Sequence, residues 1–203
     1  MLARATSTVR PAPAVVGLVL AAVLAGCGAD EASGDGSATD APEDRMRQVA
    51  AATLHPGDVV APPSGRVVLV VTGGTTTNVG DELRLDVDQL DALGTVEYDV
   101  DDSLATGGTA TFSGPLMRSV LELAGAEGGT TMHTEALNDY AVDVPVSDAL
   151  DLPLMIATRM DGKRMSVAHY GPTRFVYPTE GYGLDPATYE PRWIWQLRSI
   201  EVE

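Results

Sequence analysis

The segment Phe112-Ser-Gly-Pro-Leu-Met-Arg-Ser-Val-Leu-Glu-Leu-Ala-Gly125 carries the clearest structural signal of this 203-residue chain. Pro115 suits the first turn of a helix, where a missing N–H costs nothing, and Gly125 suits its end. Four apolar residues fall on one face of such a helix: Leu116, Val120, Leu121 and Ala124. The pattern predicts an amphipathic helix that packs its apolar face on a sheet.

Short strand-like segments flank this helix. Residues 67–71 and 83–87 predict a hairpin, and the glycine-rich segment 73–80 between them is predicted to be its loop because a strand, not a helix, follows it. Residues 88–94 predict a one-turn helix that Asp88 caps. The other strand candidates are residues 95–99, 130–136, 140–144, 154–160, 174–177 and 194–202. Strands and helices do not alternate regularly, so the class is α+β, a strand-rich mixed sheet with a few short helices.

The N-terminal residues 1–26 have the features of an export signal. Arg4 and Arg10 precede an apolar run at 14–24 that is too short to span a bilayer comfortably. The run ends in Leu24-Ala-Gly-Cys27, which looks like a bacterial lipoprotein box. This resemblance implies cleavage before Cys27, whose thiol would carry a diacylglyceryl group. We therefore expect a protein of the cell envelope, held on the extracytoplasmic side of the membrane by fatty acyl chains such as palmitate.

Residues 27–62 are predicted to connect this anchor to the folded domain. Residues 28–43 are acidic and contain almost nothing apolar larger than alanine, which predicts a flexible tether. A short helix is expected over 44–52, and several prolines then break the chain. We place the start of the domain near Pro63, so that it covers residues 63–203.

Composition excludes several classes of function. The formal net charge of −16 opposes binding to a phosphate backbone, so nucleic acid is not an expected partner. The single cysteine excludes a disulfide within the chain. Common nucleophile, phosphate-loop and zinc motifs are absent from the sequence. His55 and His133 have no partner visible in the sequence and are expected to be structural.

Four segments together resemble the molybdopterin-binding domain of the sulfite oxidase family. They are Phe112-Ser-Gly-Pro-Leu, Asn138-Asp-Tyr-Ala-Val-Asp-Val-Pro145, Met160-Asp-Gly162 and Trp195-Gln-Leu-Arg-Ser-Ile-Glu-Val202. Their order and spacing fit that family over residues 63–203. The resemblance implies a sulfite-oxidase-like fold, and it makes molybdopterin the cofactor to consider.

The resemblance also implies positions for a binding site. In cofactor-binding members, the loop that matches His169 to Arg174 helps to hold the pterin and its phosphate. An arginine fork suits phosphate, and a histidine supplies a donor. The alternative is that His169 caps the turn and Arg174 pairs with an acidic neighbour.

Two departures from the family bear on catalysis. Active members bind molybdenum through a cysteine thiolate, but residues 99–108 of this chain contain none, and the only cysteine is Cys27. The carboxylates of Asp101 and Asp102 are weak candidates for the metal, since hard oxygen ligands suit high-valent ions. A lysine that the family places before the tryptophan of the last strand is Ile194 here.

The sequence thus predicts an exported, lipid-anchored domain that acts as a non-catalytic binding or accessory module. Its expected partners are the membrane and either a small anionic ligand or another envelope protein. The first alternative is a molybdopterin-dependent oxidoreductase with a metal ligand other than cysteine. The second alternative is a structural envelope lipoprotein.

Overall fold

The computed structural model describes residues 46–102 and 106–203. The predicted signal peptide, Cys27 and the acidic tether over 28–43 lie outside these residues. The strands are β1 Arg47–Ala50, β2 Val67–Thr72, β3 Leu83–Asp86, β4 Thr95–Asp102, β5 Gly108–Gly114, β6 Thr131–Ala136, β7 Ala141–Pro145, β8 Met155–Ala157, β9 Arg159–Met160, β10 Lys163–Arg164, β11 Arg174–Val176 and β12 Leu197–Val202. The α-helices are α1 Val87–Ala92, α2 Met117–Ala124, α3 Val146–Asp151 and α4 Pro186–Tyr189.

These strands form two five-stranded sheets and one two-stranded ribbon. The first sheet has the order β3-β2-β12-β6-β7, and the second has the order β1-β4-β5-β9-β10. β8 pairs with β11 in the ribbon. All neighbours are antiparallel except β2 and β12, which run parallel. The sequence-based class is confirmed, since short helices accompany mixed, strand-rich sheets.

Helix α2 is the amphipathic helix that the sequence predicts. It buries Met117, Val120, Leu121, Leu123 and Ala124 in the larger apolar core, which also contains side chains of the first sheet. Full burial of one such aliphatic side chain is worth roughly 1.5–3 kcal/mol. The start of the helix differs from the prediction, because the helix begins after Leu116 and Pro115 lies outside its first turn.

The end of α2 depends on Gly125 and on the hairpin loop. Gly125 has a φ of 63°, a left-handed conformation that suits glycine. The backbone N–H groups of Thr75 and Thr76 both donate to the carbonyl of Ala124. The glycine-rich segment is therefore the predicted loop between β2 and β3, and it satisfies a carbonyl at the end of this helix.

Asp86, not the predicted Asp88, caps α1. Its carboxylate accepts hydrogen bonds from the backbone N–H groups of Asp88 and Gln89, and the Gln89 side chain accepts from Asp86 N–H, which completes a capping box. The same carboxylate accepts from Ser64 and Gly65. Burial raises the pKa of Asp86, but these four donors outweigh it and bring the pKa below 3.8.

The prediction of a helix over 44–52 is wrong for residues 46–52, which the structure describes. Residues Arg47–Ala50 instead form β1, which pairs antiparallel with β4. The N–H groups of Thr53 and Leu54 donate to Ala92, and Val60 is buried in the core. The segment thus hydrogen-bonds to the open edge of β4. This pairing stabilises the strand more than the weak local helix propensity would stabilise a helix. Folded structure accordingly extends upstream of Pro63.

Several boundaries also differ after residue 95. β4 continues to Asp102 and pairs along its length with β5, a strand that the sequence analysis did not predict. The segment 154–160 splits into β8 and β9, and the last strand begins at Leu197. Helix α3 is also absent from the predictions. None of the helices in the described ranges is long and apolar enough to cross a membrane.

Candidate functional site

Arg174 lies in β11 at the centre of the region that the sequence points to. Its side chain is 0% exposed, and its Nη1 donates to Oδ2 of Asp102 at 2.9 Å. Asp102 ends β4 and its side chain is 2% exposed. Arg174 and Asp102 therefore form a buried ion pair between two strands that are 72 residues apart in sequence.

Three aromatic rings enclose the Arg174 guanidinium. Its central carbon lies 5.0 Å from the ring centre of Phe112 and 5.6 Å from those of Trp193 and Trp195. Nε and Nη2 of Arg174 have no hydrogen-bond partner. The guanidinium is instead surrounded by the faces of these aromatic rings. Burial lowers the pKa of Arg174 below its usual value, while the Asp102 carboxylate opposes the shift. The group stays charged at neutral pH.

Two small cavities adjoin Asp101. The first has a volume of about 390 Å³, the second has about 170 Å³, and both are lined by Asp101, Pro178 and Thr179. The further side chains with carboxylates are Asp99 and Glu180 in the first cavity and Asp102 and Glu190 in the second. Neither lining includes a lysine, arginine or histidine from the described part of the chain. Both cavities thus present acceptors and negative charge.

His169 lies apart from these cavities. It ends a short 3₁₀ helix at Val167–His169, its side chain is exposed, and its Nδ1 lies 2.9 Å from Oγ of Ser166. The backbone N–H of His169 donates to the Ser166 carbonyl. Neither His169 nor Arg174 lines either cavity, so the structure does not bring the two predicted binding residues to one ligand surface.

Asp101 and Asp102, the weak metal candidates, differ in burial. Asp101 is exposed and its backbone N–H donates to Thr179, whereas Asp102 is held by Arg174. In the described ranges no three His, Cys, Asp or Glu side chains are arranged to hold a metal ion. His55 and His133 both contact carboxylates, His55 with Asp58 and His133 with Asp143.

A third cavity, which sequence analysis missed, is rich in aromatic side chains. This aromatic cleft has a volume of about 480 Å³ and is lined by Asn138, Tyr140, Tyr170, Glu190, Pro191, Trp193, Trp195 and Gln196. It contains both tryptophans of the chain. The pair Trp193 and Trp195, two residues apart before the last strand, is the signal that could have indicated it.

A second arginine near this region was also missed. Ile194, which stands where the family places a lysine before Trp195, is buried in the core. Arg192 precedes Trp193, but its Nη1 donates to Oδ2 of Asp148 at 2.8 Å. Tyr177 donates to the same oxygen. Asp148 therefore neutralises the one cation that directly precedes a tryptophan here.

The residues present do not fit the molybdenum–pterin group that the family resemblance implies. Its phosphate needs accessible cations, but Arg174 is fully enclosed and Arg192 is paired. Its metal needs a thiolate, and Cys27 is the only cysteine of the sequence. The cavities beside Asp101 would oppose an anion. We therefore derive no chemical step through this group.

Comparisons with known proteins agree on the fold. One solved structure with this fold is the sulfane dehydrogenase SoxCD from Paracoccus pantotrophus, with a TM-score of 0.50 and 16% sequence identity. The match covers 71% of this chain but 40% of that one, and it shows the fold alone. No curated protein sequence matches the chain. The family model for the oxidoreductase molybdopterin binding domain matches residues 69–201, and the chain therefore belongs to this sulfite oxidase-like family.

Proposed function

We propose that this protein is a non-catalytic binding module built on the sulfite-oxidase-like fold. The observation that carries the proposal is the state of Arg174, which matches the family's phosphate-binding arginine. A phosphate ligand would have to displace Asp102 and open a ring of three aromatic side chains. Breaking a buried ion pair costs about 3–5 kcal/mol. The arginine thus serves the fold.

The electrostatics of the surroundings support the same role. The carboxylates of Asp99, Asp101 and Glu180 face a cavity whose lining offers no cation among the described residues. A ligand with phosphate and a dithiolene-bound metal would enter against this field. A neutral or cationic ligand meets no such opposition. The function that remains for the fold is recognition of a ligand or partner, without redox chemistry.

The test is the metal and pterin content of the protein. The whole chain is produced in a host that makes molybdenum cofactor, alongside a family member that has the cysteine ligand as the positive control. Molybdenum is measured by elemental analysis and pterin by the fluorescence of its oxidised, released form. We expect less than about a tenth of an equivalent of each in this chain, since metal retention depends on the ligand and its supporting contacts. Stoichiometric molybdenum would overturn the proposal and favour an oxidoreductase with a carboxylate ligand.

We also propose that the module is attached to the membrane through Cys27, on the extracytoplasmic side. The support is the apolar run at 14–24 followed by Leu24-Ala-Gly-Cys27. Cys27→Ser should move the protein from the membrane fraction to the soluble fraction, while Ser33→Ala in the tether should not. The measurement is detergent phase partitioning with mass spectrometry of the N-terminal peptide. A Cys27→Ser protein that still enters the detergent phase would contradict the anchor.

A further inference from the structure

We propose that the aromatic cleft binds a neutral saccharide through stacking on its aromatic rings and hydrogen bonds to its polar rim. This inference rests on the proposed binding role and names the class of ligand. The cleft volume of about 480 Å³ lies within the range of roughly 300–1,000 Å³ that is usual for small-molecule sites. Its lining combines four aromatic residues with two amides and one carboxylate.

The concentration of aromatic side chains in the cleft is the first observation. The sequence has only two tryptophans and six tyrosines, and both tryptophans and two of the tyrosines line this one cavity. Tyr140 is 45% exposed, which leaves part of its ring open to solvent. Aromatic rings present flat apolar faces that suit the C–H face of a sugar ring. A concave lining that is mostly apolar and aromatic with a few polar groups is typical of small-molecule sites.

The rings are held in place before any ligand arrives. Tyr170 packs edge to face on Trp195 with ring centres 4.6 Å apart. Tyr140 donates from its hydroxyl to the carbonyl of Pro191 at 2.9 Å. Arg174 is fully buried and does not line the cleft, so it contacts Trp193 and Trp195 from the protein side. Rigid aromatic platforms lose little entropy on binding.

The backbone around the cleft has an unusual conformation. Tyr170 has a φ of 59° and Gln196 has a φ of 55°, a region that non-glycine residues seldom adopt. The two residues are joined, because the Gln196 N–H donates to the Tyr170 carbonyl at 3.2 Å. Such conformations are strained and persist where surrounding structure requires them. Here they place Tyr170 and Gln196 at the cleft.

The polar rim suits hydroxyl groups. Gln196 donates from Nε2 to the Val167 carbonyl. Its Oε1 is not used in this bond and can accept a hydrogen bond. Asn138 accepts from Tyr140 N–H through Oδ1, which leaves its Nδ2 as a donor. The carboxylate of Glu190 adds a charged acceptor to the lining. A saccharide offers several hydroxyl donors and acceptors together with an apolar face, so it matches both parts of the cleft.

The arrangement favours a neutral ligand over a charged one. Glu190 disfavours an anion such as a phosphate. An organic cation in the cleft would lie on rings that the Arg174 guanidinium already contacts from the protein side at 5.6 Å, so two positive charges would draw on the same ring electrons. A neutral sugar meets neither penalty.

Tryptophan fluorescence tests the proposal directly, since both tryptophans line the cleft. The purified whole chain is titrated with a tetrasaccharide of glucose, a tetrasaccharide of N-acetylglucosamine and, as competing chemistries, tetramethylammonium and inorganic phosphate. We expect a saturable change in emission with at least one saccharide and none with the two ions. Tyr140→Ala should weaken saccharide binding about tenfold or more, as the loss of an aromatic anchor does. Tyr140→Phe, which keeps the ring, should bind better than Tyr140→Ala.

Glu190→Gln should weaken binding, and Glu122→Gln, an exposed residue of α2 that removes the same charge elsewhere, should not. Circular dichroism melts confirm that each variant is folded. The absence of a saturable response to both saccharides, a response only to an ion, or saccharide binding unchanged in Tyr140→Ala would each overturn the inference. If the protein contains no molybdenum and binds neither saccharide, the saccharide inference is overturned and the non-catalytic role stands. Saccharide binding by a protein with stoichiometric molybdenum supports this inference and overturns the non-catalytic role.

Discussion

Arg174 and Arg164 both pair with an aspartate, but their surroundings differ. Arg174 and Asp102 are 0% and 2% exposed, and one nitrogen of the guanidinium holds the pair together. Arg164 and Asp91 are 38% and 20% exposed, and Arg159 donates to the same carboxylate. Burial makes the loss of one member of the first pair costly, while solvent screens the second pair. The comparison shows that burial decides the role of a cation here.

The largest expected effect is the loss of the buried pair. Arg174→Ala takes the guanidinium away from the buried Asp102 carboxylate and should lower the free energy of unfolding by about 3–5 kcal/mol. The double variant Arg174→Met with Asp102→Leu should recover most of this loss, because Nε and Nη2 of Arg174 have no partners to lose. Urea denaturation measures both. If the free energy of unfolding of Arg174→Ala lies within about 1 kcal/mol of the wild-type value, the buried pair contributes no more than an exposed salt bridge.

Loss of the Asp86 side chain should lower the free energy of unfolding by an amount between the effects of the buried and the exposed pair. It caps α1 and also holds Ser64 and Gly65, so Asp86→Ala should cost about 1–2 kcal/mol. Asp88→Ala is the matched control, since the Asp88 side chain is exposed. Because the folded pKa of Asp86 is lowered, its contribution is complete above pH 3.8 and is lost as the pH falls through the folded pKa. Equal effects of the two variants would contradict the assigned cap.

The exposed pair should contribute little. Arg164→Ala should cost about 0.2–1 kcal/mol, because Arg159 remains bonded to Asp91 and the surface screens the charge. The loss should shrink further in 0.5 M salt. Chemical denaturation at low and high salt measures it. A loss as large as that of Arg174→Ala, insensitive to salt, would remove the distinction between the two pairs.

The smallest expected effect is a pH dependence at His133 on the outer face of the first sheet. Hydrogen bonds to Asp143 and then to Glu203 raise the pKa of His133 above 6.5, and Glu201 lies opposite it on β12. A raised folded pKa means that the contribution is complete below pH 6.5 and is lost as the pH rises through the folded value. The melting temperatures of wild type and His133→Gln should therefore differ more at pH 5.5 than at pH 8.5. The opposite trend would contradict the raised pKa.

The sequence analysis succeeded where local chemistry decides the structure. The apolar spacing in 117–124 and the glycine at 125 predict α2, and the paired strands before it form the expected hairpin. It failed at β1 and at the N-cap of α1, where local signals compete with distant partners. β1 forms because β4 offers an edge, and Asp86 caps because Ser64 and Gly65 also donate to it.

The candidate site shows the same limit. Asp101 and Asp102 are neighbours with the same side chain, yet alternation along β4 exposes one and buries the other against Arg174. Arg174 and His169, five residues apart, have different surroundings because Arg174 lies in β11 and His169 ends an exposed 3₁₀ helix. The spacing of Trp193 and Trp195 is a local signal of the aromatic cleft, but Tyr140 and Tyr170 join them from separate parts of the chain, which no local pattern predicts.

The sequence by itself determined the fold family, the helix α2 and the negative charge, since these depend on residue order, spacing and composition. The tertiary structure alone decided which arginine is enclosed, which carboxylate it meets and which aromatic rings share a cavity. These properties depend on contacts between residues up to 72 positions apart in the Arg174–Asp102 pair. Side chains of one type have the same chemistry in the unfolded chain, and only packing gives them different solvent exposure and partners.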